Sequence, residues 1–561
     1  MVNLEAGTYS AVITPPYDGD RTMSFKSTLS TDVTGTLAAD KVQTLTLGRR
    51  GQNGRLSFAG TAGQTVALQV AAQATAPADR LTYYTVYKPD GAVLNSTSAG
   101  SNGTSATTLN LPNLPATGTY TVFVDPYQGE TLSTQLTLAT GTTSGQVTNG
   151  ASGSFATSIP QQNVYLTFTA TAGQNLGLAL SDLVTPNTTN YAYLTVYKSD
   201  GGAVASQLCY AANNGCQTNL VNLEAGTYSA VITPPYDGDR TMSFKSTLST
   251  DVTGTLAADK VQTLTLGRRG QNGRLSFAGT AGQTVALQVA AQATAPADRL
   301  TYYTVYKPDG AVLNSTYAGS NGTSATTLNL PNLPATGTYT VFVDPYQGET
   351  LSTQLTLATG TTSGQVTNGA SGSFATTVPG QNVYLTFTAT AGQNMGFALS
   401  NLVTPNSTNA VYFVVYRADG AGIASQNCYV SSGGCQVNLA NLDAGTYSVV
   451  ITPPYNGDQT MSFKSTLSTD VTGTLVADKV QTLTLGRRGQ NGRLSFAGTA
   501  GQTVALQVAG QTTVPAERTT YYTVYKPDGA HLNSVGATSE ATLERVMNFE
   551  IERLHFQASG S

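Results

Sequence analysis

The chain is dominated by short stretches in which apolar and polar residues alternate. In one stretch Val66, Leu68 and Val70 occupy every second position, and a second stretch from Tyr120 to Val124 repeats the pattern. A period of two residues predicts a β-strand with one buried and one solvated face. No apolar pattern with a 3.6-residue period is sustained before the last 25 or so residues.

Turn signals separate these predicted strands at short intervals. In the KPDG segment Pro89 presets φ, Asp90 can bond its own backbone and Gly91 tolerates positive φ, which favours a hairpin with a bulge. Strand segments recur about every 8 to 12 residues, the spacing typical of a β-sandwich. We therefore predict roughly seven or eight strands per domain.

Two repeats are nested in the sequence. The GTY phrase recurs at Gly7, Gly226 and Gly445, and both 226 − 7 and 445 − 226 are 219. Inside this period, FAGTAGQTVALQV from Phe58 resembles FTATAGQNLGLAL from Phe168, since 168 − 58 is 110. Two related domain types, A and B, therefore alternate along the chain.

The joints between these domains are short segments rich in Thr, Gly and Ser. The predicted fold class is all-β, a tandem array of antiparallel β-sandwich domains, of the jelly-roll or Ig-like kind, about 110 residues each. The predicted boundaries are 1–36 for the C-terminal part of a B-type sandwich, 37–144 for A, 145–255 for B, 256–363 for A, 364–474 for B, 475–543 for the N-terminal part of an A-type sandwich, and 544–561 for a divergent tail.

The order of phrases within each domain resembles a known family. A strand ending in Phe, an AGQ turn with an alternating strand, a V-Y-x-x-D-G hairpin and an A-x-G-T-Y segment before the last strands are similar to the bacterial pre-peptidase C-terminal (PPC) domain. The resemblance implies a small β-sandwich appended to secreted proteases or carried in tandem on exported and surface proteins. This chain departs from the pattern because no peptidase is attached, and its near-identical array is more typical of stalks and adhesins.

Composition narrows the function. Charged residues make up 10% of the chain and the formal net charge is -4, without the Lys/Arg clustering that nucleic acid or anionic membrane requires. Both histidines, His531 and His555, lie near the end, and neither a G-x-S-x-G elbow nor a phosphate-binding glycine loop is present. No apolar run approaches the roughly 20 residues that span a bilayer. We expect no enzymatic activity, no cofactor, no nucleic-acid partner and no membrane insertion.

The four cysteines form two pairs at the same position of successive B domains: Cys209 and Cys216, then Cys428 and Cys435. Six intervening residues with Asn-Gly or Gly-Gly suit a hairpin closed by a disulfide, which contributes about 2.5 kcal/mol. The alternative is a metal site, but two thiols alone cannot complete tetrahedral zinc. The disulfide reading implies an oxidising, extracellular or cell-surface location, although the chain shows no signal peptide.

Two further groups are candidate binding residues. Asp18 and Asp20, repeated as Asp237 and Asp239, flank a glycine in a loop that could hold Ca²⁺, and an ion-free Asp-Gly turn is the alternative. The tyrosine-rich strands place Tyr83, Tyr84, Tyr302 and Tyr303 as candidate saccharide-stacking residues, because neighbouring side chains point to opposite faces and one of each pair should be exposed. Ordinary packing of the sandwich is the alternative for the tyrosines.

The two ends differ from the interior. The first 36 residues repeat the end of a B domain, so we interpret Met1 as an internal or artificial start. Near Glu544 the last A domain departs from its siblings, through a change of reading frame or a dedicated terminal segment. There Leu543, Met547 and Ile551 have the spacing of a helical stripe.

These features together predict a non-catalytic region of a bacterial surface or secreted adhesin-like protein, acting as a spacer or stalk. The alternatives are a carbohydrate-binding array or the accessory domains of a secreted hydrolase. Expected partners are other cell-surface proteins or polysaccharide. The incomplete terminal domains also allow head-to-tail self-association by strand addition.

Overall fold

The computed structural model describes residues 4–15, 22–100, 106–235, 240–319, 325–454, 459–516, 518–538 and 545–550. These residues are all-β, with many sheets and four 3₁₀ turns of three residues each. No helix among them has the length and apolarity needed to cross a membrane. The chain divides into two compact units: unit 1 is Met1–Ser363, Ala375–Val383 and Thr452–Thr460, and unit 2 is Gly364–Phe374, Tyr384–Ile451 and Met461–Ser561.

We name the repeats A1 (37–144), B1 (145–255), A2 (256–363), B2 (364–474) and A3 (475–543). The strands of A1 form two sheets, in the orders β1-β3-β8-β5-β6 and β2-β9-β4-β7. Their bounds are β1 Val33–Thr36, β2 Val42–Leu47, β3 Gly54–Gly60, β4 Val66–Ala76, β5 Thr82–Tyr87, β6 Val93–Ala99, β7 Thr107–Leu111, β8 Gly118–Pro126 and β9 Thr131–Ala139. The β1–β3 pair is parallel and the other pairs are antiparallel.

The core of A1 lies between its two sheets. Alternate side chains of both sheets meet in one apolar cluster, in which the rings of Phe58 and Tyr120 stack with centroids 5.2 Å apart. The two-residue period sets this arrangement, since in β5 it buries Tyr84 and leaves Tyr83 exposed. In β5 the sequence pattern therefore predicts the inward face correctly, whereas in β4 the intervening Ala67 is buried as well, in a separate small cluster.

B1 contains nine strands in the single order β10-β12-β17-β14-β15-β16-β13-β18-β11. A five-stranded half and a four-stranded half, in the arrangement of the two sheets of A1, are joined into one sheet by the pairing of Tyr210 with Gly215. One apolar cluster again fills the interior. The bounds are β10 Ser144–Gln146, β11 Ser152–Ala156, β12 Val164–Ala170, β13 Gln174–Val184, β14 Tyr191–Lys198, β15 Ala203–Tyr210, β16 Gly215–Leu223, β17 Gly226–Thr233 and β18 Ser243–Thr250.

A2 repeats both sheets of A1, in the orders β19-β21-β26-β23-β24 and β20-β27-β22-β25. Its bounds are β19 Val252–Thr255, β20 Val261–Leu266, β21 Gly273–Gly279, β22 Val285–Ala295, β23 Thr301–Tyr306, β24 Val312–Ala318, β25 Thr326–Leu330, β26 Gly337–Pro345 and β27 Thr350–Ala358. In A1 and A2 alike, the strand that precedes the predicted start of the domain lies in one of the domain's sheets: β1 pairs with β3, and β19 pairs with β21.

The strands that follow A2 continue the alternation. B2 has two sheets, β28-β30-β35-β32-β33 and β29-β36-β31-β34, and A3 has three strand pairs, β37–β38, β39–β42 and β40–β41. The bounds are β28 Ser363–Gln365, β29 Ser371–Ala375, β30 Val383–Ala389, β31 Gln393–Val403, β32 Ala410–Tyr416, β33 Gly422–Tyr429, β34 Gly434–Leu442, β35 Gly445–Thr452, β36 Ser462–Thr469, β37 Val471–Thr474, β38 Gly492–Ser495, β39 Thr503–Val508, β40 Thr520–Tyr525, β41 His531–Ala537 and β42 Arg545–Glu550.

The helical stripe predicted near the end of the chain is wrong at Met547, which lies in β42. Leu543 and Ile551 lie outside the described residues. In β42, Phe549 pairs with Val504, and two periods earlier Leu111 pairs with Val66 in the same register. The ladder position, more than the residue identities, determines the secondary structure of this segment.

Candidate functional site

The joint between B1 and A2, which lies within unit 1, contains a cluster of buried polar residues. β18 ends at Thr250 and β19 begins at Val252, so a single residue, Asp251, separates the two strands. The Asp251 side chain is 2% exposed, and Arg274 donates from Nε to its Oδ2 at 2.6 Å. The Arg274 guanidinium also lies 4.3 Å from the ring centroid of Phe342.

Two glycines allow the backbones of B1 and A2 to touch. A Cβ atom on Gly177 would lie well inside van der Waals contact with the carbonyl oxygen of Gly270. Within unit 2, Gly396 and Gly489 make the same approach. Since only glycine lacks a Cβ, any substitution at Gly177 must push the backbones apart.

An amide network fills the space beside this contact. Asn272, which is completely buried, donates from Nδ2 to Asn219 Oδ1 at 2.9 Å and to Asp251 Oδ1 at 3.1 Å. Gln217 donates from Nε2 to Asn272 Oδ1 at 2.6 Å and also to Asn219 Oδ1. Gln217 and Asn219 point from β16 of B1, whereas Asn272 belongs to A2, so the network links the two repeats.

Asp344 on β26 completes the network from the A2 side. It accepts hydrogen bonds from Asn219 Nδ2 at 3.0 Å and from Gln217 Nε2 at 3.3 Å. Burial raises the pKa of the Asp344 carboxyl to about 6, and the charge of Asp251 acts in the same direction, against the Asn219 hydrogen bond and the charge of Arg274. The carboxyl therefore titrates close to neutral pH.

A cleft of about 150 Å³ opens above this carboxyl, between β16 and the loop after β26. Tyr302 lies on its rim with 43% of the side chain exposed. The lining is otherwise amide, carboxylate and backbone, and consists of Gln207, Gln217, Asn219, Tyr302, Asp344, Pro345, Tyr346, Gln347 and Gly348. Gln217 Oε1 in this lining is buried without a hydrogen-bond partner among the described residues.

The four tyrosines predicted as saccharide-stacking residues divide into two classes. Tyr83 and Tyr302 are 44% and 43% exposed, as the alternation requires for one of each pair. Tyr84 and Tyr303 are completely buried, so the stacking prediction is wrong for these two residues. Their hydroxyls donate to Gln73 Oε1 and Gln292 Oε1, each at 2.6 Å, and burial raises the pKa of both phenols.

The sequence prediction missed the counterparts of Tyr83 in the other repeats. Tyr193 and Tyr412 occupy the same strand position in B1 and B2, with 43% and 41% of the side chain exposed. The 110-residue echo could have found them, since 193 − 83 and 412 − 302 are both 110. Each complete repeat thus presents a tyrosine at this position, on the outer face of β5, β14, β23 or β32.

Both predicted disulfides are present, between Cys209 and Cys216 and between Cys428 and Cys435, with Cα atoms 4.7 and 5.1 Å apart. In B1 the bond joins the end of β15 to the start of β16. Gln217, which follows Cys216 directly, is therefore anchored at the joint with A2.

The predicted calcium residues Asp18, Asp20, Asp237 and Asp239 lie outside the described residues. Within the part of the chain that the structure describes, no group of three or more His, Cys, Asp or Glu side chains could hold a metal ion.

A different contact connects A1 to B1. Asn110 donates from Nδ2 to the carbonyl of Gln161 at 3.0 Å, and its Oδ1 accepts from the Asn163 N–H at 2.9 Å. Ala67, Ala139 and Ile159 form a small apolar cluster beside it. Unit 1 contains the same clamp a second time, in which Asn329 donates to the carbonyl of Gly380 at 3.0 Å.

No protein-family model matches the chain, and no curated protein matches it. Among solved structures, it is similar to the CUB1-EGF-CUB2 domain of human MASP-1/3, with 10% identity, a TM-score of 0.14, and coverage of 36% of this chain and 99% of that chain. The rat MASP-1 CUB1-EGF-CUB2 domains give 11% identity, a TM-score of 0.13, and coverage of 37% and 99%. The M60 catalytic domain with the CBM51-1 and CBM51-2 domains from Clostridium perfringens ZmpB gives 8% identity and a TM-score of 0.13, with coverage of 69% of this chain and 52% of that chain.

Proposed function

We propose that this chain is a non-catalytic, extracellular spacer, a run of tandem β-sandwich domains that sets a distance on a bacterial surface or secreted protein. The observation that carries the proposal is the direct connection between repeats. One residue, Asp251, separates the last strand of B1 from the first strand of A2, and Asn272 and Arg274 of A2 donate hydrogen bonds to its buried carboxylate. A joint of this kind limits bending between neighbours, which a spacer requires.

The paired sheets support separate sandwich domains better than a continuous β-solenoid. Successive coils of a solenoid stack on one another, so that each repeat contacts its neighbours along one shared core. Here the sheets of A1 and A2 pair mainly antiparallel strands from within one repeat, and each encloses its own apolar cluster. Membership in the pre-peptidase C-terminal family is part of the same proposal and rests on the sequence phrases.

The two disulfides support the extracellular location, because such bonds persist in oxidising compartments and are rare in the cytosol. Each closes a hairpin within a B repeat. The disulfides therefore indicate the compartment of the spacer and give no information about its binding partner.

Small-angle scattering tests the spacer function. Deleting residues 145–363 removes one 219-residue period and rejoins Ser144 to Gly364, the same dipeptide as Ser144-Gly145 in the parent chain. We expect the maximum dimension to fall by a fixed increment and to rise by the same increment when that period is duplicated. A maximum dimension that hardly responds to either change would contradict a spacer, and hydrolysis of peptide or glycan substrates would contradict the absence of catalysis.

Saccharide binding is a second candidate function, favoured by the tyrosine that recurs on the outer face of each complete repeat. Tyr83, Tyr193, Tyr302 and Tyr412 hold equivalent strand positions, each about two-fifths exposed. Exposed aromatic rings with a polar tip provide flat apolar area at low entropic cost, which suits stacking on a sugar ring. Binding of a glycan panel that weakens in proportion to the number of these tyrosines replaced by alanine would support this function.

A further inference from the structure

The outer face of A2 carries a row of three side chains that no other complete repeat has. Tyr317 on β24 pairs directly with Tyr302 on β23, and Tyr302 pairs on its other side with Asp344 on β26. Directly opposed residues of neighbouring strands project from the same face, and the strands lie about 4.8 Å apart, so the row spans about 10 Å. Tyr317 and Tyr302 are 62% and 43% exposed, which leaves two adjacent rings facing solvent.

B1 supplies the polar half of this site. Gln217 and Asn219 reach from β16 to the carboxyl at the end of the row, and the cleft of about 150 Å³ lies directly beside Tyr302. Two aromatic rings that lead into a pocket of amide and carboxylate groups combine a stacking surface with directional hydrogen-bonding groups. Neither repeat alone contains both parts.

The chemistry of the lining restricts the ligand. Among the described residues, the lining of the cleft includes the Asp344 carboxylate and no Lys or Arg. Arg274 nearby is paired with Asp251, and Arg269 donates to the carbonyl of Gln347 at 3.5 Å. An acidic ligand would therefore meet the Asp344 carboxylate in a lining that contains no cationic side chain. Hydroxyl groups, which both donate and accept, match a mixture of amides and a carboxylate.

We propose that the joint between B1 and A2 is a composite binding site for a neutral oligosaccharide, which stacks on Tyr302 and Tyr317 and hydrogen-bonds to Asp344, Gln217 and Asn219. This inference deepens the second function proposed above and confines it to one place in the chain. Tyr302 and Tyr317 are the stacking residues, and the Asp344 carboxylate orients the sugar by accepting hydrogen bonds from the sugar hydroxyls.

The other repeats show why the site is restricted to this joint. In A1 the row reads Ser98, Tyr83 and Asp125, so one ring is missing, and residues 4–15 and 22–32 before A1 contribute no strand corresponding to β16. In B1 the row reads Leu208, Tyr193 and Thr233, without a carboxylate. A1 and B1 thus serve as internal controls.

The test uses the full chain and a panel of immobilised neutral oligosaccharides derived from cellulose, xylan, mannan, chitin and starch, with uronate-containing glycans beside them. We expect a neutral glycan to bind, and titration calorimetry to give one site per chain. Tyr302→Ala should weaken binding about tenfold, which corresponds to about 1.4 kcal/mol for the loss of one aromatic contact. Tyr317→Ser, which installs the residue of A1, should weaken it by a smaller factor, and Asp344→Asn should also weaken it while preserving side-chain shape.

Tyr83→Ala is the matched control, because Tyr83 has nearly the same exposure and the same strand position, but the described residues before A1 place no B domain strand beside it. It should leave the affinity unchanged, and so should Ser98→Tyr. Equal losses in Tyr83→Ala and Tyr302→Ala would overturn the composite site while supporting a general tyrosine array. Absence of binding to every neutral glycan, or preference for uronates, would overturn saccharide recognition at this joint and leave the spacer function untouched.

Discussion

Residues 2–144 and 221–363 carry the same sequence apart from Ser98 and Tyr317, yet their N-terminal parts differ in structure. Gly226–Thr233 and Ser243–Thr250 are strands β17 and β18, whereas residues 4–15 and 22–32 form no strand and are almost entirely exposed. The second copy pairs with β12, β13 and β14, which residues 164–198 supply. Local sequence alone therefore does not make these segments strands; neighbouring strands do.

The same contrast reaches into the A repeats. The ion pair between Arg and Asp at the start of each A repeat has the same 2.6 Å distance in both copies, but Asp32 is 23% exposed and Asp251 is 2% exposed. The carboxyl on β8, Asp125, faces solvent, whereas its counterpart Asp344 lies under the amides of B1. Identical chemistry is thus placed in two dielectric environments.

The largest effect should come from removing the arginine of each ion pair. Arg274→Ala leaves the buried Asp251 carboxylate without its counter-charge, so it should lower the local free energy of opening by about 3–5 kcal/mol. Arg55→Ala should cost about 1 kcal/mol or less, because water can solvate Asp32. Hydrogen exchange read by mass spectrometry measures both, since each substitution marks its own peptide by mass. Equal losses would show that the neighbouring B repeat leaves the environment of the pair unchanged.

Removing a disulfide should have the next largest effect. Cys209→Ser with Cys216→Ser should destabilise B1 by about 2.5 kcal/mol on the chain-entropy estimate. Because Gln217 adjoins Cys216, protection of amides around Asn272 in A2 should fall as well, while A1 stays unchanged. The paired change at Cys428 and Cys435 is the control, as it should leave the B1 and A2 joint intact. Protection at Asn272 that survives the first double substitution would mean that the bond does not hold β16 in place.

The pH dependence of the joint should follow Asp344. Its folded-state pKa of about 6 lies above the ordinary value of 3.8, so protonation favours the docked state. The free energy that stabilises the docked joint should rise as the pH falls from above 6 towards 4, and it should decline as the pH rises through 6. The change is on the order of 2 kcal/mol. Asp344→Asn should abolish this step and be the more stable form at pH 8.

Asp125→Asn provides the comparison for this titration. Partial burial, followed by the charge of Asp32, also raises the pKa of Asp125, but among the described residues no amide of a B repeat covers it, so its contribution should be smaller and of the same sign. Exchange rates of variant and parent compared at equal pH remove the intrinsic pH effect. A pH step that persists in Asp344→Asn would assign it to another group.

The smallest effect should come from exchanging the single residue that differs. Ser98→Tyr and Tyr317→Ser lie at exposed positions of edge strands β6 and β24 and should change stability by no more than about 0.5 kcal/mol. Melting of each variant beside the parent chain checks this. A larger shift would mean that the substitution, in addition to the neighbouring repeat, separates the two copies.

The sequence predicts the periodic features of this molecule well. Alternation gives the strands and separates Tyr83 from Tyr84, and the spacing of Cys209 and Cys216 gives the disulfide. The alternation and the cysteine spacing both involve residues close together in the sequence, so the backbone geometry of a strand or a hairpin determines where their side chains lie.

The joint could not be predicted in the same way. Gln217, Asn219 and Asn272 are polar residues of ordinary appearance, and their meeting depends on the approach of Gly177 to Gly270 across two repeats. The strand β42 escaped prediction because its register comes from β39, a partner nearly 40 residues earlier. Contacts between distant segments carry no signature in a single short window.

The one-residue connection at Asp251 determines how the chain would carry tension. A pull transmitted along β18 enters A2 through β19, which is held to β21 by a parallel ladder of four residue pairs. When the load runs along the strand axis, these hydrogen bonds are sheared together and must break nearly at once. The buried Asp251 and Arg274 pair sits at the point where the load enters. Each joint of this kind would therefore act as a mechanical clamp as well as a spacer.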